Sequence, residues 1–241
     1  MSRVARVAPK GYIFHILARG NNRKNVFKEE ADYRKYIDII LRYKEKFLFK
    51  LYHYVLMTNH VHLVVETTAH GGELAQIMKC INLSYAQHYK NKYRHYGHFW
   101  QDRYKSIIIS KDTYLLACGS YVELNPVRAK IVEDPKDYQW SSYTIYAYGK
   151  KKALVDEHPI YEGLGKSEQE RRRTYREFVK GMLKEKKAQK GEMDRRLIYG
   201  GEDFKEEIGK RFQMEAMIKH RGRPKKDKED KNDVNKKNRP L

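Results

Sequence analysis

The stretch Leu56-Met57-Thr58-Asn59-His60-Val61-His62-Leu63-Val64-Val65-Glu66 decides the fold of this chain. Its second half consists mainly of β-branched and bulky apolar residues, which favour a β-strand. The polar pair Thr58-Asn59 can turn the chain back from a preceding strand candidate at 49–57. The stretch therefore predicts an antiparallel hairpin.

The predicted second strand of this hairpin carries two histidines on one face. Successive side chains of a strand point to opposite faces, so His60 and His62 project together and Val61 projects to the other side. Neutral imidazoles that lie side by side are natural ligands for a divalent metal. Two histidines are an incomplete site, so a third ligand is expected elsewhere in the chain.

Apolar periodicity outside the hairpin predicts the element order β-α-β-β-α-β-α. The predicted strands are Gly11–Ala18, 49–57, His60–Glu66 and Lys105–Ser110, and the predicted helices are Ala31–Phe47, Leu74–Tyr93 and Tyr114–Leu124. Strands of this order that pair antiparallel, with helices on one face, form an α+β sandwich of the ferredoxin-like kind.

The chain is expected to divide into three parts. Residues 1–150 contain the predicted sandwich, and residues 151–218 form a helical extension with helices predicted at 166–190 and 204–217. From residue 219 to residue 241 charge dominates and apolar residues nearly vanish, which predicts a disordered basic tail.

The charge of the chain points to a polyanionic partner. Its 51 lysines and arginines exceed its 31 aspartates and glutamates, giving a net charge of +20. This excess runs along the whole chain, a pattern typical of nucleic-acid binding, although a soluble protein with a basic surface is the simpler alternative. No apolar run resembles a signal peptide or a membrane span, so the expected location is cytoplasmic.

The third predicted helix supplies candidates for the missing ligand and for a nucleophile. Tyr121 and Asn125 are four residues apart and would share one helical face. An amide oxygen can bind a hard divalent cation, and a phenolic oxygen can form a covalent intermediate. A metal held by His60, His62 and Asn125 would polarise a phosphodiester that Tyr121 attacks.

Each of these candidates has a simpler structural interpretation. His60 and His62 could lie on a polar sheet face, and Tyr121 could be one more core tyrosine. Asn125 precedes Pro126, so it could instead cap a new short helix. Nearby, His53 on the first hairpin strand is interpreted as a packed or surface histidine, and Glu123 should point away from the site if Tyr121 faces it.

Together these motifs resemble those of the single-tyrosine HUH transposases of insertion-sequence type. The pair His60-Val61-His62 looks like the HUH motif, and Tyr121 lies in a segment similar to that around the family's nucleophilic tyrosine. Further agreement comes from Phe99-Trp100-Gln101-Asp102-Arg103-Tyr104 and Trp140-Ser141-Ser142-Tyr143. Within this family, the chain is most similar to the REP-associated tyrosine transposases over roughly residues 10–148.

This resemblance implies a ferredoxin-like endonuclease and strand-transferase acting on single-stranded or hairpin DNA. It implies Mg²⁺ or Mn²⁺ as cofactor and a 5′-phosphotyrosine intermediate on Tyr121. Both monomeric and homodimeric relatives are known, so either state is expected. The resemblance also implies a bacterial-type protein associated with the nucleoid. The alternatives are a non-catalytic DNA- or RNA-binding regulator on the same scaffold, and a metal-dependent phosphodiesterase that uses water.

Basic residues near the predicted site and in the tail are candidates for DNA contact. Aromatic and basic residues alternate through the end of the second helix, a composition that suits base stacking and phosphate contact, although a helix with inward tyrosines and solvated lysines is an equal alternative. Arg221-Gly222-Arg223-Pro224 resembles an AT-hook core, which could bind a narrow minor groove. The candidates are Arg19, Arg23, Lys90, Lys92, Arg94, Arg103, Arg221 and Arg223.

Overall fold

The structure, a computed structural model, describes residues 7–150, 153–184 and 197–214. Its strands are β1 (Ile13–Arg19), β2 (Lys50–Met57), β3 (His60–Glu66), β4 (Lys105–Ile109) and β5 (Ile198–Tyr199). Its α-helices are α1 (Glu30–Phe47), α2 (Leu74–Tyr93), α3 (Thr113–Glu123), α4 (Asn125–Arg128), α5 (Tyr143–Tyr148), α6 (Pro159–Glu162), α7 (Glu168–Lys184) and α8 (Glu202–Arg211). The predicted order β-α-β-β-α-β-α is confirmed through α3.

The sheet has the strand order β2-β3-β1-β4-β5. The predicted hairpin is present, because β2 and β3 pair antiparallel and the register joins Met57 to His60 across a two-residue turn. Strand β1 lies at the centre and pairs antiparallel with both β3 and β4. This is the α+β, ferredoxin-like arrangement that the sequence predicts, with the short parallel strand β5 added beside β4.

The two faces of the sheet bury different helices. Helices α1 and α2 pack on one face, as predicted, where Phe14 and Ile16 of β1 join the largest core cluster. Helix α3 packs on the opposite face, against a second cluster that includes Ile13 and Val64, so the prediction that the helices lie on one face is wrong for α3. This second face is the one that displays His62, because strand side chains alternate and Val61 lies in the core beneath α1 and α2.

Helix α3 lies between the sheet and the C-terminal helices. A third cluster packs its outer side against α5, α6 and α7, with Leu116 and Leu124 from α3 and its end meeting Tyr143, Tyr146 and Tyr175. The predicted helix at 166–190 is observed as α7, and the one at 204–217 as α8, within the described residues. The tail predicted to be disordered lies outside the described residues. No helix of the described part is both long and apolar enough to cross a bilayer.

Candidate active site

Strand β3 places both histidines of the predicted pair at one cavity. The imidazole rings of His60 and His62 lie edge to face with their centroids 5.0 Å apart. His62 is buried and His60 is half-buried at the start of the strand. The sequence prediction that the two rings share one face of β3 therefore agrees with the structure.

Each histidine has one ring nitrogen engaged by a neighbour. Nδ1 of His60 lies 2.6 Å from Oδ1 of Asn59, and Nδ1 of His62 lies 2.8 Å from Nε2 of His15 on β1. The rings of His15 and His62 stack at 5.0 Å. Because a proton on Nδ1 of His60 would be donated to Asn59, this ring keeps Nε2 as its free acceptor.

All three rings are neutral near pH 7. Burial, reinforced by the charge of Arg19, lowers the pKa of His60 to about 4. Burial lowers the pKa of His15 to about 4 and that of His62 well below its usual value, with the neighbouring histidines and arginines adding to the effect on His62. Neutral imidazole is the form that binds a metal ion.

Helix α3 brings Tyr121 to the same cavity. The helix begins at the Asp112 cap, whose side chain accepts a hydrogen bond from the Tyr114 amide. Nine residues after Asp112, the ring of Tyr121 lies 6.2 Å from that of His62 and 5.9 Å from that of His15. Both distances are between ring centroids of one chain, so this tyrosine and these histidines meet without a second subunit.

Asn125 lies two residues beyond the end of α3, and it lines the same cavity. Its amide nitrogen donates to the backbone oxygens of Tyr121 and Val122, at 3.0 and 3.1 Å. The alternative that Asn125 caps α4 through its side chain is wrong, because α4 has no side-chain cap and Leu124 occupies the cap position. The amide nitrogen of Asn125 is used at the end of α3, so its side-chain carbonyl oxygen is the atom that could bind a cation.

The cavity formed by these residues is small and positively charged. It has a volume of about 170 Å³ and is lined by Arg19, Met57, His60, His62, Tyr121, Asn125, Arg128 and Ala129. We call it the catalytic cavity, after the function that we propose for it. The guanidinium of Arg128 lies 4.7 Å from the centroid of the Tyr121 ring and donates to the Tyr121 backbone oxygen at 2.7 Å. Two arginines and no carboxylate line this cavity within the described residues, which suits an anionic ligand.

Two residues of this site have no role in the sequence-based prediction. His15 interrupts an apolar strand, a visible signal, but its contact with His62 depends on the β1–β3 register, which the sequence does not reveal. Arg128 lies seven residues after Tyr121, two helical turns along the same face. That spacing is a signal that could have identified it.

The other predicted DNA contacts lie at different places. Arg19 lines the catalytic cavity, whereas Arg23, Lys90, Arg94 and Arg103 are exposed. Lys92 instead forms ion pairs with Glu29 at 2.5 Å and Asp32 at 2.6 Å, which tie the end of α2 to the start of α1. Arg221 and Arg223 lie outside the described residues.

A second cavity is lined by residues that begin next in sequence to Arg19 of the catalytic cavity. It has a volume of about 190 Å³ and lies between the turn at 20–26 and the loop at 95–99. The first residue of this turn, Gly20, follows Arg19 of the catalytic cavity. The loop contributes the buried ring of Phe99 and the ring of Tyr96, which is 88% exposed.

Comparisons with known proteins place part of this chain in a family and find solved structures that resemble it. Residues 9–125 match the family model described as "Transposase IS200 like". This part of the chain belongs to the IS200-like transposase family. The match ends at Asn125, so it contains the histidine pair and the tyrosine of the catalytic cavity. A search of curated proteins finds no match.

Two solved structures resemble this chain. The REP-associated tyrosine transposase bound to a REP hairpin superposes with a TM-score of 0.52 and 18% identity, covering 65% of this chain and 98% of that one. A protein of Deinococcus radiodurans R1, provisionally described as a transposase, gives a TM-score of 0.36 and 18% identity, covering 54% and 92%. The first structure shows that this chain shares its fold. The TM-score of the second is too low to show the same.

Proposed function

We propose that the protein is a transposase that cuts and rejoins single-stranded or hairpin DNA, with Tyr121 as nucleophile and a divalent metal as cofactor. The observation that carries this proposal is the meeting of Tyr121, His60, His62 and Asn125 in one cavity flanked by Arg19 and Arg128. Membership of the transposase family supports the general activity. The binding of a REP hairpin by a protein of the same fold supports hairpin DNA as substrate.

The donor set fits a divalent metal. His60 and His62 are neutral, and Asn125 adds an amide oxygen. The described residues hold no group of three histidine, cysteine or acidic side chains suited to a metal, so the proposed set depends on the amide. Amide oxygen suits Mg²⁺ and Mn²⁺, and imidazole suits transition ions, which favours Mn²⁺ of the two. The metal, when bound, would polarise the scissile phosphate.

The chain's own residues account for the rest of the reaction. The phenolic oxygen of Tyr121 attacks phosphorus, a P–O(Tyr) bond forms, and the P–O3′ bond of the DNA breaks. The phenol proton passes to solvent and the departing 3′ oxygen takes up a proton, which leaves a 3′-hydroxyl and a 5′-phosphotyrosine. Arg128 places a positive charge beside the ring as negative charge develops on its oxygen. The reverse attack by a 3′-hydroxyl rejoins the strand.

The test uses hairpin oligonucleotides labelled at one end and incubated with the protein and Mn²⁺. The proposal predicts a protein–DNA adduct on a denaturing gel that retains a 3′ label, whereas a 5′ label leaves on a free fragment. Tyr121→Phe should bind the hairpin but form no adduct. A 5′-labelled adduct, or cleavage without any adduct, would contradict a 5′-phosphotyrosine and would favour attack by water in the second case.

A further inference from the structure

Helix α3 carries a fully buried glutamate two residues after the proposed nucleophile. Glu123 has no exposed surface, and its carboxylate accepts three hydrogen bonds. The donors are Nδ1 of His53 at 2.9 Å, Oγ of Ser142 at 2.6 Å and the hydroxyl of Tyr175 at 2.6 Å. We call these four residues the Glu123 hub.

The Glu123 hub joins α3 to three separate elements. His53 lies on β2, Ser142 precedes α5, and Tyr175 lies on α7. Residues two apart on a helix point about 200° from each other, so Glu123 leaves α3 on nearly the opposite side from Tyr121. These three hydrogen bonds hold the side of α3 that faces away from the catalytic cavity. They thereby set the direction in which Tyr121 points on the side that faces the cavity.

The packing of α3 against β2 is unusually close at the Glu123 hub. A Cβ atom on Gly119 would lie 2.5 Å from Nε2 and Cε1 of His53, within the hard limit of non-bonded contact. Only glycine at this position therefore lets the His53 ring approach the helix this closely and reach Glu123. This local geometry fixes the distance between α3 and the sheet that bears His62.

Stability alone does not explain a buried carboxylate at this position. Burying a charge is costly, and replacing a buried polar cluster with well-packed apolar side chains is often neutral or stabilising. Directional hydrogen bonds provide what apolar packing does not, namely one defined orientation. That property is useful on a helix whose tyrosine must approach a phosphate within reaction distance.

One member of the Glu123 hub comes from the part of the chain to which the sequence assigned no role. Tyr175 is fully buried on α7, fifty residues beyond the end of the family match. Its ring packs against the rings of Tyr143, Tyr146 and Tyr161, and these contacts hold α7 against the side of α3 that faces away from the sheet. The C-terminal extension therefore reaches the helix of the nucleophile from the side away from the DNA site.

We propose that Glu123 is a positioning residue for Tyr121, and that the C-terminal extension supports strand cleavage through the bond from Tyr175 to Glu123. The hub holds α3 so that Tyr121 faces His60 and His62 of its own chain. This inference rests on the proposed nucleophilic role of Tyr121. It assigns to α7 a function in the reaction although no residue of α7 touches the catalytic cavity.

The test compares two full-length variants that each lose one buried hydroxyl. Tyr175→Phe keeps the ring and removes the bond to Glu123, whereas Tyr161→Phe removes a similar bond to the backbone oxygen of Tyr146. We expect Tyr175→Phe to slow adduct formation about tenfold at saturating hairpin DNA and Mn²⁺, because a misdirected nucleophile lowers the rate of the chemical step. Its affinity for the hairpin should remain within about twofold of wild type, since no DNA-contacting group changes.

The control variant, Tyr161→Phe, should form the adduct at the wild-type rate. Glu123→Gln keeps one carbonyl oxygen as acceptor, so its rate of adduct formation should lie between those of wild type and Glu123→Ala. Hydrogen exchange of the α3 amides should accelerate in Tyr175→Phe and not in Tyr161→Phe, a readout independent of activity.

The possible results separate this inference from the proposed function. If wild type forms the adduct and Tyr175→Phe forms it equally fast, the inference fails and the proposed function stands. Equal slowing of both tyrosine variants would also overturn it, since the effect would be general loosening. If wild type forms no adduct, the proposed function fails. The positioning role can then still be tested by hydrogen exchange, and it is refuted if the α3 amides of Tyr175→Phe exchange at the wild-type rate.

Discussion

His15 should control metal binding without touching the metal. A metal on Nε2 of His62 requires the proton of that ring to be on Nδ1, where it is donated to Nε2 of His15 at 2.8 Å. Replacing His15 by Phe removes this acceptor, and the His62 ring then also takes the form with a proton on Nε2, which cannot bind metal. Partners of this kind are typically worth 10- to 100-fold in metal affinity or activity, or about 1.4–2.7 kcal/mol.

The same substitution should leave the fold nearly unchanged. Phenylalanine keeps a ring stacked against His62, where the two rings now lie 5.0 Å apart. The substitution leaves Nδ1 of His62 without its partner. It also removes Nδ1 of His15, a buried atom that has no hydrogen-bond partner among the described residues. These two changes oppose each other, so the melting temperature should move by only a few degrees.

The assay is a Mn²⁺ titration of adduct formation with hairpin DNA at saturation. DNA must be present because Arg19 and Arg128 repel a cation until a phosphate enters the cavity. The half-saturating Mn²⁺ concentration should rise at least about tenfold for His15→Phe. The control is His70→Phe, an exposed histidine beyond the far end of β3. A folded His15→Phe protein with a wild-type titration curve would refute this reasoning.

Three further substitutions test other parts of the account. Arg128→Gln removes the charge beside the Tyr121 ring and should slow single-turnover cleavage about tenfold or more while hairpin affinity changes less; an unchanged rate would refute its electrostatic role. Tyr96→Ala should weaken binding of oligothymidine by about 1–3 kcal/mol in fluorescence anisotropy, and Tyr96→Phe should not; equal affinities would exclude base stacking there. Gly119→Ala should cost about 1–3 kcal/mol in chemical denaturation because its Cβ meets the His53 ring, and an unaltered midpoint would contradict that close packing.

Local patterns in the sequence were sufficient to predict the framework of the fold. The β2–β3 hairpin and the four-residue spacing of Tyr121 and Asn125 follow from periods of 2 and 3.6 residues, which are properties of short segments. The two-residue strand β5 escaped prediction because so short a strand has no periodicity. Its existence depends on β4, which offers an edge to pair with.

Contacts between distant segments could not be predicted in the same way. His53 was interpreted as a packed or surface histidine, and the structure shows it fully buried with a specific partner, Glu123, seventy residues later. Lys92 was a candidate for DNA contact, yet it pairs with Asp32 on another helix. Which charged side chain finds which partner depends on how α3 and α2 dock, and that is set by packing over the whole domain rather than by any one segment.

The most direct test of the central claim is to locate the covalent bond. The protein is incubated with hairpin DNA and Mn²⁺, digested with nuclease and trypsin, and its peptides are sequenced by tandem mass spectrometry. We predict a nucleotide remnant in the peptide at 112–128, on Tyr121 and not on Tyr114. A remnant on Tyr114, on any other residue, or on no residue of a protein that cuts the DNA would contradict it.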